Sequence, residues 1–231
     1  MLAASYAVIV DAGFLMAAGA RALGLSRQPL AFDGAECVMW CGGFHRRPKS
    51  AQFAPIFESA SFLRAYWYDA AYDPADRRFR AQRATFDALA LVPGLYLRLG
   101  HLQVIRPSWQ RQVRRAVRAC GVDLAVFERH FEFRSELTQK GVDSLMTLDL
   151  VNLARDRAVD AILLVSGDRD LEEPMRVAQG VGCTVVLAYP PRAGVATTLR
   201  QLADAQLEID PSDLRQMLVP VAPAAPAARS A

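Results

Sequence analysis

Apolar positions along this chain gather into two kinds of stretch: short unbroken runs, and longer runs with helical spacing. Ile162-Leu163-Leu164-Val165 has no polar interruption and reads as a strand buried on both faces, as in a parallel sheet. It breaks at the turn pair Ser166-Gly167 and delivers Asp168 and Asp170 just past the strand's carboxyl end. Leu171-Glu172-Glu173-Pro174 then opens a helix, with acids where the helix dipole favours them and proline where no N–H is missed. Tyr6–Val10 ends in the same way, at Asp11-Ala12-Gly13, and Phe14–Leu23 carries a helical pattern closed by Gly24.

The alternation of strands and helices continues between these two units. Asp33 is placed to cap a helix reaching Phe44. Phe62–Tyr68 is an aromatic-rich strand that runs into Asp69. Ala81–Leu91 looks helical and stops before Pro93-Gly94, Leu95–Leu99 alternates as a strand, and His101–Ile105 continues it or pairs with it. From Arg106 to Arg118, Trp109, Val113, Ala116, Val117 and Cys120 recur at helical spacing, which predicts a helix with one packed face. Phe127–Phe133 mixes aromatics and charges and is assigned no element. Asp143 precedes a helical pattern that runs to about Arg155, and its simplest role is that helix's N-cap. The whole reads as an α/β chain.

Composition narrows the class only a little. A chain of 231 residues, 52% apolar and 22% charged, has the makeup of a globular protein with a sizeable core. A net charge of +3 and a pI near 8.8 permit an anionic partner without requiring one. The distribution of charge says more. His45, Arg46, Arg47 and Lys49 form one acid-free cluster, Arg77, Arg78, Arg80 and Arg83 a second, and Arg106, Arg111, Arg114, Arg115 and Arg118 a third. A solvated outer face explains such runs as readily as binding to a phosphate backbone does. Met1–Val10 is apolar but lacks a basic leader, and Asp11 interrupts it. No run approaches the roughly 18 apolar residues of a membrane span. A cytoplasmic chain without a membrane partner is expected. Cys37 and Cys41 stand one helical turn apart with His45 a turn further, but zinc would need a fourth ligand, so buried free thiols are the expectation.

The candidate chemistry lies in the acids. If the strands ending at Asp11 and Asp168 are parallel neighbours, Asp11, Asp168 and Asp170 converge at the edge where open α/β sheets bind ligands. Two like charges about 4 Å apart repel by roughly 4 kcal/mol at an effective dielectric of about 20. A shared proton or a divalent cation would relieve that, and an oxygen-only donor set suits Mg²⁺ or Mn²⁺. Asp143 and Asp149 point about 120° apart on an ideal helix. Both reach one crevice only if Asp143 sits in the non-helical turn before the helix, and Asp143 is the favoured metal ligand of the two. Asp149, between Leu148 and Leu150, lies at the crevice boundary or is paired. Asp69 is a further candidate, with turn formation as its alternative role.

Together these segments resemble a known family. Lys140-Gly141-Val142-Asp143 with Asp149, and Ile162 through Asp170, resemble the hallmark segments of NYN-domain proteins, the LabA branch of the PIN-like ribonuclease superfamily. Val10-Asp11-Ala12-Gly13-Phe14-Leu15 looks like the family's opening strand and acid, and Trp67-Tyr68-Asp69-Ala70 and Leu97-Arg98-Leu99-Gly100 like its middle strands. The likeness covers roughly 6–105 and 139–190. Phe14 stands where many members have Asn. The resemblance implies a three-layer α/β/α PIN-like domain over 1–210 with a basic insertion at 106–138. A disordered Pro/Ala-rich tail at 211–231 would come after it, its low-complexity part running from Pro220 to Ala231. It also implies a metal-dependent ribonuclease, cutting internally, with Asp11, Asp143, Asp168 and Asp170 (and Asp149 as a further ligand) around Mg²⁺ or Mn²⁺. Lys140, Arg111, Arg114, Arg115 and Arg118 would neutralise the RNA backbone. A homodimer is left open. Two other readings remain: a PIN-like RNA-binding or regulatory module that does not cut, and a phosphohydrolase with an aspartyl nucleophile. The latter chemistry usually wants a second Asp soon after the first, and Asp11-Ala12-Gly13 supplies none.

Overall fold

The computed structural model describes residues 4–26, 30–46, 57, 60–105, 108–131 and 136–221. In chain order, β1 (Ser5–Asp11) leads into α1 (Ala12–Ala22), β2 (Leu30–Phe32) into α2 (Gly34–Gly43), and β3 (Ser61–Ala71) into α3 (Phe79–Ala90). β4 (Leu95–Ile105) is followed by two helices, α4 (Ser108–Ala119) and α5 (Leu124–His130), before β5 (Glu136–Lys140). Then come α6 (Val142–Arg155), β6 (Ala161–Val165), α7 (Glu172–Gly180), β7 (Thr184–Tyr189) and α8 (Thr197–Leu202). The order closes with β8 (Ala205–Glu208), α9 (Pro211–Met217) and β9 (Leu218–Pro220).

The described residues form a seven-stranded sheet in the order β5-β4-β3-β1-β6-β7-β8. Its strands pair in parallel except for β4 with β5. β6 is buried at every position, as its unbroken apolar run requires. Alternation by two sends Val8, Val10, Leu163, Val165, Ala65 and Trp67 to one face, under α2, α3 and α9. Ala7, Ile9, Ile162, Leu164, Tyr68 and Ala70 face the other side, under α6 and α7. This is the three-layer α/β/α architecture expected from the sequence. Asp33 caps α2, accepting from Glu36 N–H at 3.0 Å, and β4 runs unbroken through 95–105. Cys37 and Cys41 are buried free thiols. Among the described residues no helix is long and apolar enough to cross a membrane.

Order persists past residue 210, where the sequence suggested that it stops. Asp210 caps α9 with Pro211 in the first turn, and Leu214 and Met217 bury completely in the core. β9 then pairs antiparallel with β2, Leu218 opposite Phe32. The cause is the spacing of Leu214 and Met217, which gives even a short helix an apolar side to bury. The Pro/Ala-rich stretch 222–231 lies outside the described residues, as do Arg47, Lys49, Arg106 and Phe133. The 106–138 region holds α4 and α5; α5, capped by Asp123, takes in Phe127–His130, the first part of the stretch Phe127–Phe133 to which the sequence assigns no element.

Candidate active site

Strand order reverses beside β1. The chain moves from β1 to β3 and β4 on one side, and from β6 to β7 and β8 on the other. The connections leaving β1 and β6 therefore diverge and open a crevice at the carboxyl ends of the two strands, the switch point where such sheets take ligands. Val10 pairs with Val165, so Asp11 and Ser166 emerge side by side. The fully buried Ser166 donates from Oγ to Asp11 Oδ2 at 3.3 Å and accepts from the Asp168 N–H at 3.3 Å, tying together the two acid-bearing turns. Asp11 Oδ1 accepts from Phe14 N–H at 2.9 Å and caps α1. Asp168 Oδ1 accepts from Asp170 N–H at 3.0 Å, capping the 3-10 turn Arg169–Leu171 that precedes α7.

Asp143 comes to this edge from the far side of the sheet order. The expected N-cap role falls instead to Gly141, in a left-handed conformation (φ 83°), and Asp143 is exposed in the first turn of α6. The helix begins two residues early because Val142 is buried and Gly100 lets the chain come close. A Cβ on Gly100 would stand 2.5 Å from the Lys140 carbonyl oxygen. Burial holds the Asp11 carboxyl above its ordinary range, against the hydrogen bonds from Phe14 and Ser166, and Asp143 and Asp168 raise it further. Asp143 is raised by partial burial and then by Asp168 and Asp170. Asp69 is pushed up to about 6, by burial first and by Asp11 as well, against the Ala70 N–H. Asp11, Asp69 and Asp143 thus each feel a neighbouring carboxylate at this edge. Among the described residues, no three His, Cys, Asp or Glu side chains are grouped closely enough to form a metal-holding cluster. By donor chemistry the set, carboxylate oxygens alone, fits a hard divalent cation.

Asp149 does not join them. Its two oxygens accept from Arg98 Nε at 2.8 Å and Arg98 Nη2 at 3.1 Å, and Oδ2 also accepts from the Tyr68 hydroxyl at 2.7 Å. Arg98 and Tyr68 project from β4 and β3 beneath α6, so the expected metal ligand is instead neutralised by the chain's own cation. Phe14 packs against Gly167, where an added Cβ would lie 2.5 Å from its ring, so an aromatic wall stands between the two turns. The sequence marks Ser166 only as a turn residue and does not mark Gln139, whose side chain rests against Gly13. A serine between a buried strand and an acid was a usable signal for the first. Nothing local signals the second.

The basic residues lie towards the same edge. Pairing of β3 with β4 ends at Ala71 and His101, while β4 and β5 stay paired out to Ile105 and Glu136. The two strands thus run beyond the carboxyl edge and carry α4 and α5. Lys140 is exposed at the end of β5. Arg111, Arg114, Arg115 and Arg118 line an open hollow of about 250 Å³, and Arg114 pairs with Glu128 at 3.1 Å. The apolar face expected on α4 is only partly covered: Val113 and Val117 are half-buried, while Trp109 and Cys120 are exposed.

A protein of Sinorhizobium fredii described as uncharacterized protein y4oD is 43% identical over 82 residues, 35% of this chain; the match spans 38% of that protein's length. The crystal structure of a Vibrio parahaemolyticus protein of unknown function superposes with a TM-score of 0.50 at 20% identity, over 94% of this chain and 97% of that one, a likeness of fold alone. A family model of the NYN domain matches residues 30–210. The matched span begins after β1, so the central strand and Asp11 are placed by the structure rather than by the family match. The chain belongs to the NYN-domain family, part of the PIN-like nuclease superfamily.

Proposed function

We propose that this protein is a divalent-cation-dependent ribonuclease that hydrolyses phosphodiester bonds within RNA. The observation that carries this reading is the placement of Asp11 and Asp168 in adjoining turns at the switch-point crevice of an NYN fold, tied together through the Ser166 hydroxyl, with Asp143 near enough to raise the Asp11 carboxyl. Asp11, Asp143, Asp168 and Asp170 do not form a closed cluster by themselves, and Mg²⁺ or Mn²⁺ would draw their carboxylates together. When bound, such an ion supplies positive charge against the phosphate and acidifies a water molecule. The chain's own residues do the rest. Local caps hold Asp11 and Asp168 at the strand ends, and the Ser166 hydroxyl keeps the two turns together. Lys140, Arg111, Arg115 and Arg118 neutralise backbone phosphates, contacts that carry affinity without sequence information, so sequence preference is weak. The working domain includes α9 and β9, with α4 and α5 as its basic appendage.

A mixed RNA pool incubated with Mg²⁺, Mn²⁺ or EDTA, beside Asp11→Asn and Asp168→Asn, tests the proposal. Cleavage should need the metal and fall at least about a hundredfold in either variant while RNA binding survives. Turnover indifferent to EDTA or to either change would remove the mechanism. A second reading, a module that binds RNA without cutting it, is favoured by the Phe14 wall against Gly167. RNA bound and left intact under every metal condition would establish it.

A further inference from the structure

The turn that opens α1 is touched by a residue from the sheet's opposite edge. A Cβ on Gly13 would lie 2.9 Å from Gln139 Nε2, and 3.5 Å from both Gln139 Oε1 and Asp11 Oδ1. The carboxamide therefore rests on the backbone beside the Asp11 carboxylate. β5 can reach this place because it pairs with the part of β4 that overruns the sheet: Gln139 stands opposite Leu102, one residue past the last β3 partner, His101. Gln139 is exposed, so its amide protons are open to a ligand in the crevice.

The chemistry of the side chain suits that place. A lysine or arginine beside Asp11 would be drawn into an ion pair and lost to an incoming phosphate. A carboxamide is neutral, keeps its N–H donors free of that pairing, and adds an uncharged donor beside carboxylates that only accept. We infer that Gln139 is a substrate-contacting residue, its carboxamide seated against Gly13 and donating to a phosphate oxygen of the RNA strand in the crevice. Gly13 belongs to the same device, since any side chain at 13 pushes the amide away. The inference rests on the ribonuclease reading for its substrate, but its test does not depend on cleavage alone.

The experiment uses a labelled single-stranded RNA oligonucleotide with Mn²⁺, and the full chain as wild type, Gln139→Ala, Gly13→Ala and the double variant. Each single change should lower kcat/KM about tenfold. The double should lose about the same tenfold rather than the product of the two, because both remove one contact. Gln139→Ala should keep the wild-type melting temperature, as an exposed side chain with no structural duty would. In an Asp168→Asn background, Gln139→Ala should weaken RNA binding about tenfold. Unchanged kinetics in Gln139→Ala, or losses that multiply in the double variant, overturn the inference. If the wild type binds RNA and cuts nothing, the ribonuclease reading fails and the binding comparison still decides Gln139: equal affinity with and without the amide overturns it.

Discussion

Asp69 lies two residues before the end of β3, with its carboxyl pushed up to about 6, where the ordinary value is 3.8. The native state thus holds this proton more tightly than the unfolded chain does. The unfavourable contribution of the charged form is absent below about pH 4, grows as pH rises, and is complete above about pH 6. Asp11 and Asp143 shift in the same direction. With chelator present, stability should therefore decline between about pH 4 and pH 7. Asp69→Asn should recover on the order of 2 kcal/mol at neutral pH and nothing at about pH 4. Urea unfolding of both proteins across that range checks this; a variant no more stable than wild type at pH 7 would contradict it. Asp149 shows the opposite arrangement, a carboxylate whose charge is met by Arg98 and whose second neighbour, Tyr68, has its hydroxyl pushed up by burial and then by that carboxylate.

At the level of elements, the position of Asp143 depends on how closely α6 starts against β4. Gly100 faces the Lys140 carbonyl oxygen, with Val142 Cγ2 at 2.8 Å and Val142 N at 3.0 Å from the place a Cβ would take. Two of these three atoms are backbone and cannot rotate out of the way. Gly100→Ala should cost about 1–3 kcal/mol by overpacking, and should lower cleavage as well by moving the first turn of α6. Chemical denaturation and the RNA assay read the two effects. Wild-type stability would show that this contact is looser than it looks. The same strands explain how Gln139 meets Gly13: β4 overruns β3, and β5, paired antiparallel to that overrun, brings Gln139 to the edge where Asp11 lies.

For the molecule as a whole, the net charge of +3 hides a separation of signs. Acids gather at the switch point, and an arginine row is carried beyond the same edge by β4 and β5. Arg111, Arg115 and Arg118 are exposed, whereas Arg114 is shared with Glu128. Replacing those three by alanine should weaken RNA binding across all sequences. It should also reduce the slope of log affinity against log salt by roughly 2, at about 0.7 per phosphate contact on single strands. Titration at several salt concentrations checks it; an unchanged slope would mean that this row faces solvent only.

The unbroken apolar runs at Tyr6–Val10 and Ile162–Val165 have one good burial solution, between helices on both faces, so the sheet type and the strand-end placement of Asp11 and Asp168 were legible in the sequence. The cap at Asp33 was legible because it is a bond between residues a few positions apart. Features that arise where distant segments meet were not legible. Only the tertiary structure gave Asp149 to Arg98, started α6 at Val142 rather than after Asp143, tied α9 and β9 into the domain through Leu214, Met217 and the strand β2, and brought Gln139 to Gly13. Contacts of that kind leave no period along the chain, because they depend on which surfaces face each other once the sheet has curled.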